Sequence, residues 1–512
     1  MQDRKRFWLM LLLTVITIFV NIGSIPLLDP DEPFYAETPK EMMLVNDFIS
    51  PRIYGDFWYD KPPMYYWLVA GSFKAFGVSE FAARFPSALS AVLCVVLVYW
   101  AMARIFNERA GIISGLVLGS AVEYFYLGKA AVTDSTLTLF LTASLVCFLE
   151  RKDYLFYIFC ALATLTKGPI GFLFPGAIIF IWMAVTRRFD EIKNMKIPAG
   201  ITIFLIIAGP WYWEMYRLHG AAFIDGFIGV NNIVRFTTAE HARTSGWYFF
   251  IPVLIIGFFP WSALMGQAIW SALKTKESKE RKTLLFLFIW AAFIFVFFSI
   301  SNTKLLSYIL PVYPPLAMLV GWYLDRSFAG YRLAGWSIGW LPGLGILAVL
   351  MAGGFVFGVK SLPEIRLGAF ALALVIIAMV SAVGYFLKKC DVGKAVWVQA
   401  SAMALVSIIM VTLLLPPVMS QFSSREIARD FLTHYDGKTT VYVSKFLHPG
   451  FTYYTDVYGN ELKSGADFAK EVAENRQAYF VVRQSDYMGL SNEERRALIV
   501  ILESDQKMLL KR

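Results

Sequence analysis

Apolar positions along this chain come in long unbroken runs rather than in the short clusters of a soluble fold. A helix that crosses a bilayer needs roughly 20 mostly apolar residues. Segments of that kind begin near residues 7, 82, 110, 132, 154, 169, 197, 247, 283, 307, 335, 367 and 395. The pattern predicts a polytopic α-helical membrane protein with about 13 transmembrane helices. The segments near 154 and 169 are short and joined by "TKGPIG", the weakest hairpin of the series. The first run follows a basic start, "MQDRKR", but outlasts a signal-peptide core, and no small-residue cleavage site precedes Asp29. It reads as a retained first membrane helix.

The polar stretches between runs set the orientation. With the N-terminus in the cytoplasm, "ERKDY", "RRFDEIKNMK", "KTKESKERK", "DRSFAGYR" and "KKCDVGK" all fall on the inner side, as cytoplasmic loops rich in Lys and Arg should. The opposite short loops carry little more than Lys129, Lys167, Lys304, Lys360 and Arg366. An odd number of spans leaves the C-terminus outside. Two long outer loops result, at about 29–80 and about 217–246 on this topology. The first holds two helix-like pieces, "DEPFYAETPKEMMLV" and the aromatic-rich "KPPMYYWLVAGSFKAF". Such juxtamembrane helices lie in the interface plane.

Residues 1–420 therefore read as a membrane domain. From Gln421 the pattern becomes that of a soluble fold: "REIARDFLTHY" is helical, while "KTTVYVSKF" and "QAYFVVRQ" are strand-like. "SNEERRALIVIL" opens with a capping signal, Ser491 followed by Glu494. Residues 421–512 are predicted to form a small outer α/β domain.

Composition agrees. The chain is 57% hydrophobic and only 17% charged, against roughly 25% charged in soluble proteins. The net charge of +9 is accounted for by the inner loops and does not point to nucleic acid. None of Cys94, Cys147, Cys160 and Cys390 has CxxC spacing, which argues against a disulfide framework or a cysteine metal site. The glycines of "MAGGFVFG" sit inside an apolar run and suggest close helix packing. Phosphate-loop, nucleophile-elbow and zinc-protease motifs are missing from the sequence.

Candidate chemistry gathers at the outer face. "LLDPDEPFYAE" places Asp29 and Asp31 beside the first membrane helix, either as helix caps or as catalytic carboxylates. "FWYDKPPMYYW" offers Lys61, a snorkelling anchor or a point charge for a phosphate. Its aromatics, Trp58 and Tyr59 among them, suit an interface belt and also a lipid chain or sugar ring. "AVTDSTLTLF" puts Asp134 just inside an apolar run, where a carboxylate is costly; it caps the helix with Thr133 or serves a site. Lys167 and Lys304 stand at outer helix ends, where anchoring is the common role and phosphate binding an alternative. "RFTTAEHARTSGWYFF" contributes Glu240, His241 and Arg243 to the second outer loop, and a lone His is more often structural than a metal ligand.

In order, "DPDEPFYAE", "YDKPPMYYWLVAGSFKAFGVSEFAARFPSAL", "TDSTLTLF", "LTKGPIGFLFPG", "EHARTSGWYFFIP" and "SNTKLLSYILPVYPPLA" resemble bacterial C-type glycosyltransferases (GT-C). The likeness is strongest to the aminoarabinose transferases that modify lipid A, within the superfamily of the protein O-mannosyltransferases. It covers roughly residues 5–320 closely and the remainder in architecture. The resemblance implies a multi-pass enzyme of the bacterial inner membrane, with its active site and C-terminal domain periplasmic. Its donor would be a polyprenyl-phosphate-linked sugar and its acceptor lipid A or another envelope molecule. By likeness, Asp31 and Asp134 are the catalytic carboxylates, Lys61 lies beside the lipid phosphate, and Tyr35 lines the same pocket. Asp60 and His241 match positions where relatives hold a structural divalent metal, zinc by analogy; no other cofactor is implied. Many relatives carry Arg where this chain has Phe34, so Arg243 and Lys304 become the candidates to neutralise the phosphate. A carboxylate base with a lysine clamp suits direct displacement at the anomeric carbon with inversion. A polyprenyl-glycan flippase and a protein O-glycosyltransferase are the alternatives. A flippase would place its ionisable groups near the midplane, often in repeated halves, and neither pattern is present here.

Overall fold

The computed structural model describes residues 2–234, 237–238, 246–328, 337–475, 477–504 and 506–512. Helix covers every one of the thirteen predicted segments, from Gln2–Phe19 to Val392–Ile409. Among the described residues, five helices are long and apolar enough to cross a membrane singly: Glu80–Ile105, Glu280–Ile300, Gly339–Ser361, Pro363–Lys388 and Val392–Gln421. Two further pairs qualify together but are sharply bent, Glu108–Gly119 with Val122–Lys129 by 66°, and Phe250–Gly257 with Ser262–Lys274 by 104°. The outer stretch at 217–246 is not simply a loop. Helix Ile197–Phe223 runs into it, kinks at Gly220 (φ 53°), and continues as a π-helical stretch over Ile224–Val234.

The chain divides into two compact units. The first comprises Met1–Val20, Tyr59–Tyr65 and Pro86–Val411 and holds most of the apolar helices. A glycine stripe lets three of them meet. A Cβ at Gly111 would lie 2.6 Å from the Tyr99 carbonyl oxygen, and one at Gly119 would lie 2.6 Å from Thr14 Oγ1; Gly115 packs against Met10. This is small-residue packing at a four-residue spacing. In the stretch "MAGGFVFG" only Gly358 is tightly packed, with a Cβ there 3.2 Å from Ile365, while Gly353 and Gly354 have nothing within 4 Å, so the expectation holds for one glycine of three.

The second unit comprises Asn21–Trp58, Tyr66–Phe85 and Thr412–Arg512. It joins the first outer loop to the C-terminal α/β fold. The two helix-like pieces form Asp31–Leu44 and Met64–Phe76. Between them lies a hairpin of two two-residue strands, β1 (Arg52–Ile53) and β2 (Asp56–Phe57), too short to show any period in sequence. The C-terminal sheet contains β3 (Thr440–Ser444), β4 (Asn460–Leu462), β5 (Ala478–Arg483), β6 (Ile499–Ser504) and β7 (Lys507–Lys511), in the order β4-β3-β5-β7-β6. β3 is parallel to β4 and β5, and β7 is antiparallel to β5 and β6. Side chains alternate across a strand, so β5 sends Tyr479 and Val481 into one core with Phe431 and Phe451, and Phe480 and Val482 into another with Phe468 and Leu510. The Ser491–Glu494 capping box forms, but its helix ends at Arg496 and the apolar tail becomes β6.

Candidate active site

The acidic stretch at the start of the first outer loop separates into distinct roles. Helix Asp31–Leu44 has Pro30 at its N-cap and no side-chain capping bond, so Asp29 is not a helix cap. Asp29 is buried instead. Its amide donates to Phe422 O at 2.9 Å, and the Ser424 hydroxyl donates to its carboxylate. Burial drives its pKa up to about 8, with the Ser424 hydrogen bond opposing. Glu32 is buried too. Arg84 grips it with Nε–Oε1 at 2.8 Å and Nη2–Oε2 at 2.6 Å and donates its remaining protons to the carbonyls of Ile22, Ile25 and Pro26. Glu37 is buried, with Lys40 3.5 Å away, and burial raises its pKa to about 7. Glu41 accepts from the amides of Tyr54 and Gly55 at 2.6 and 2.9 Å. Asp31, in the helix's first turn, is the exposed carboxylate of the set. In the same unit Tyr35 stacks on Tyr66 with centroids 6.2 Å apart, and Phe34 lies flat on Trp58 at 5.6 Å and 5°. Phe34 thus holds Trp58 by one face.

The remaining candidates belong to the first unit. Lys61 Nζ lies 2.8 Å from Asp60 Oδ1, both side chains mostly buried, and two prolines follow before helix Met64–Phe76. Tyr59 meets His219 edge-on at 5.4 Å and Phe223 at 6.0 Å, and Asn231 donates to its carbonyl at 3.1 Å. Asp134 does not cap with Thr133, whose side chain makes no capping bond. Its carboxylate takes Lys167 Nζ at 2.6 Å, both groups nearly out of solvent, and Lys167 also lies 4.8 Å over the Tyr308 ring. Nearby, Ser87 hydrogen bonds to Tyr65 at 2.8 Å and donates to Val132 O at 2.9 Å, fixing the approach to that helix. Lys304 is buried and donates to Ser301 O, while Thr303 and Asn302 donate to the carbonyls of Thr238 and Thr237 at 2.9 and 2.7 Å. Lys304 is thereby fixed by its own loop. His241 and Arg243 lie outside the described residues.

The Asp60 carboxylate faces the Lys61 ammonium at 2.8 Å, and the described residues, which do not include His241, contain no group of three metal-ligating side chains. Sequence reasoning missed two pairings. Lys167 with Asp134 and Arg84 with Glu32 are each far apart in the chain, although Arg84, a lone cation at the head of an apolar helix, carried a signal.

The sequence pattern of the dolichyl-phosphate-mannose-protein mannosyltransferase family matches residues 60–213. Two uncharacterised proteins of Aquifex aeolicus are 33% and 31% identical over 63% and 70% of the chain, and over 64% and 81% of their own lengths. An undecaprenyl phosphate-α-4-amino-4-deoxy-L-arabinose arabinosyl transferase of Proteus mirabilis is 31% identical over 64% of the chain, a stretch spanning 60% of that relative. The fold superposes on the crystal structure of ArnT from Cupriavidus metallidurans bound to undecaprenyl phosphate. The TM-score is 0.82 at 23% identity, covering 99% of this chain and 97% of the other. The chain has the ArnT-like fold from end to end, and it spans about two thirds or less of the length of the first uncharacterised relative and of the arabinosyl transferase it matches.

Proposed function

We propose that this chain is an inner-membrane glycosyltransferase that moves a sugar from a polyprenyl phosphate to a lipid A-like or other envelope acceptor at the periplasmic face. The sugar is a pentose, aminopentose or hexose. The relatives named as arabinosyl transferases and the fold shared with an undecaprenyl phosphate complex support the substrate class. The observation that carries the reading is Asp31. In a stretch where Asp29, Glu32, Glu37 and Glu41 are buried, it alone is exposed.

In this reading Asp31 accepts the proton of the acceptor hydroxyl as its oxygen attacks the anomeric carbon. The bond from that carbon to the phosphate oxygen breaks, and the polyprenyl phosphate leaves with the electron pair. Lys61, oriented by Asp60, stabilises the leaving phosphate. Asp134 is neutralised by Lys167 and so acts by position rather than as a base. A single base without a covalent sugar intermediate gives inversion.

General-base catalysis contributes about 10²–10⁴-fold. Asp31→Asn is therefore expected to lower transfer from a polyprenyl-phosphate-linked aminoarabinose to lipid A by at least about a hundredfold, with an unchanged melting temperature. Wild-type turnover in that variant would remove Asp31 as the base. Glycosylated peptide in place of glycolipid would move the acceptor to protein, as the matched family's description suggests.

A further inference from the structure

The second unit contains a cavity of about 690 Å³ that the reaction above does not use. One wall is the β1–β2 hairpin, and the other is the edge of the C-terminal sheet where β3 and β4 begin. Rings dominate its lining: Tyr54, Phe57, Trp58, Tyr435, Tyr458 and His448. The charged residues among its walls are Asp56, Glu461 and Lys438, a net negative set that disfavours a phosphate.

Several of these rings are held by one face. Tyr54 stacks on His448 with centroids 3.8 Å apart and planes at 18°. Trp58 is backed by Phe34, and Phe57 by the Arg52 guanidinium at 4.1 Å. His448 is anchored in turn, with Nε2 2.6 Å from Tyr458 O and Nδ1 3.5 Å from Glu461. Phe57 and Tyr458 remain 44% and 41% exposed.

Backbone strain at the hairpin points the same way. Ile53 pairs with Asp56, so Tyr54 and Gly55 form a two-residue turn, and both have positive φ, 58° and 83°. Such turns favour Asn-Gly or Asp-Gly. A bulky ring in the left-handed region is an outlier that persists only when its surroundings hold it. Here Glu41 fixes both turn amides and His448 fixes the ring. An Asn would make the turn at lower cost, so the fold alone does not explain Tyr54.

Flat rings backed on one side, with carboxylates, an ammonium and hydroxyls at the rim, suit a ligand with apolar C–H faces and equatorial hydroxyls. We propose that this cavity is a saccharide-binding site that holds sugar residues of the acceptor glycoconjugate. The volume lies within the usual range of ligand sites and has room for more than one sugar ring. The assignment to the acceptor rests on the transferase reading; saccharide binding does not.

The test uses the purified full chain in detergent without turnover. Saturation-transfer NMR is recorded with three probes: core oligosaccharide released from lipopolysaccharide, free aminoarabinose, and inorganic phosphate. Saturable transfer to the oligosaccharide is expected, weakened at least tenfold in Tyr54→Asn and Tyr458→Ala. Tyr458→Ala, which removes a ring 41% exposed, should melt close to wild type, so its lost binding reads the site and not the fold. Equal oligosaccharide binding by wild type and both variants, or no saturable binding at millimolar concentration, would overturn the site. A response to phosphate alone would do so too. Aminoarabinose binding as tightly as the oligosaccharide would overturn the acceptor assignment and place the donor sugar there. In a separate assay, absence of any transfer by the wild-type chain with oligosaccharide binding intact would count against the transferase reading, not this site.

Discussion

Asp134 and Lys167 show how a single contact changes a residue's meaning. On its own, a carboxylate inside an apolar helix reads as a reactive group. Paired at 2.6 Å with an ammonium, it is one half of a buried ion pair. Breaking such a pair from one side strands a buried charge and costs about 3–5 kcal/mol, whereas removing both charges costs far less. Lys167→Met should therefore lower the melting temperature more than the double variant Asp134→Asn/Lys167→Met does. A thermal melt of the purified protein checks the order, and equal losses would show that the pair is not coupled. The charge pattern of the sequence predicted one side of the membrane for both residues. It could not show that they touch, because 33 residues separate them and no local pattern links the two positions.

Elements were the most legible level. Apolar runs predicted helix at all thirteen positions, but among the described residues only five helices are long and apolar enough to cross a membrane singly. What failed was what length and period do not encode. Two-residue strands such as β1 and β2 are invisible to alternation, and so the cavity they line was invisible as well. Close packing could not be read from glycines alone either. Gly111 meets backbone on its neighbouring helix, whereas Gly353 meets nothing within 4 Å. Gly111→Ala is thus expected to overpack and cost about 1–3 kcal/mol. Gly353→Ala should be neutral or slightly stabilising, since Ala favours helix by about 1 kcal/mol. Melting temperatures of the two variants in the same detergent make the comparison, and the reverse order would refute the packing scheme.

At the scale of the molecule, buried carboxylates couple the second unit to pH. Asp29 is raised to about 8 and Glu37 to about 7, both chiefly by burial. Their unfolded counterparts titrate near about 4. Between these values the folded unit binds more protons than the unfolded chain, so its stability falls as pH rises. The stabilisation is complete below the unfolded range and is lost as pH climbs through 7 and 8. Amide exchange in β3 and β5 should accelerate more between pH 6 and pH 9 than intrinsic chemistry requires, and Asp29→Asn should shrink the excess. A slope of the opposite sign would show that these carboxylates are ionised in the fold.

The same unit is assembled from stretches at both ends of the chain: Asn21–Trp58, Tyr66–Phe85 and Thr412–Arg512. Synthesis runs at about 5–20 residues per second, so its first parts exist for tens of seconds before its last. During that interval Asp29 has neither Phe422 nor Ser424 to meet, and the amides of its hairpin have only Glu41. The early segment must therefore wait, water-exposed and incomplete, for the tail. A ribosome stalled within the last stretch, Thr412–Arg512, would leave a chain whose long apolar helices are nearly all made and whose second unit is still incomplete.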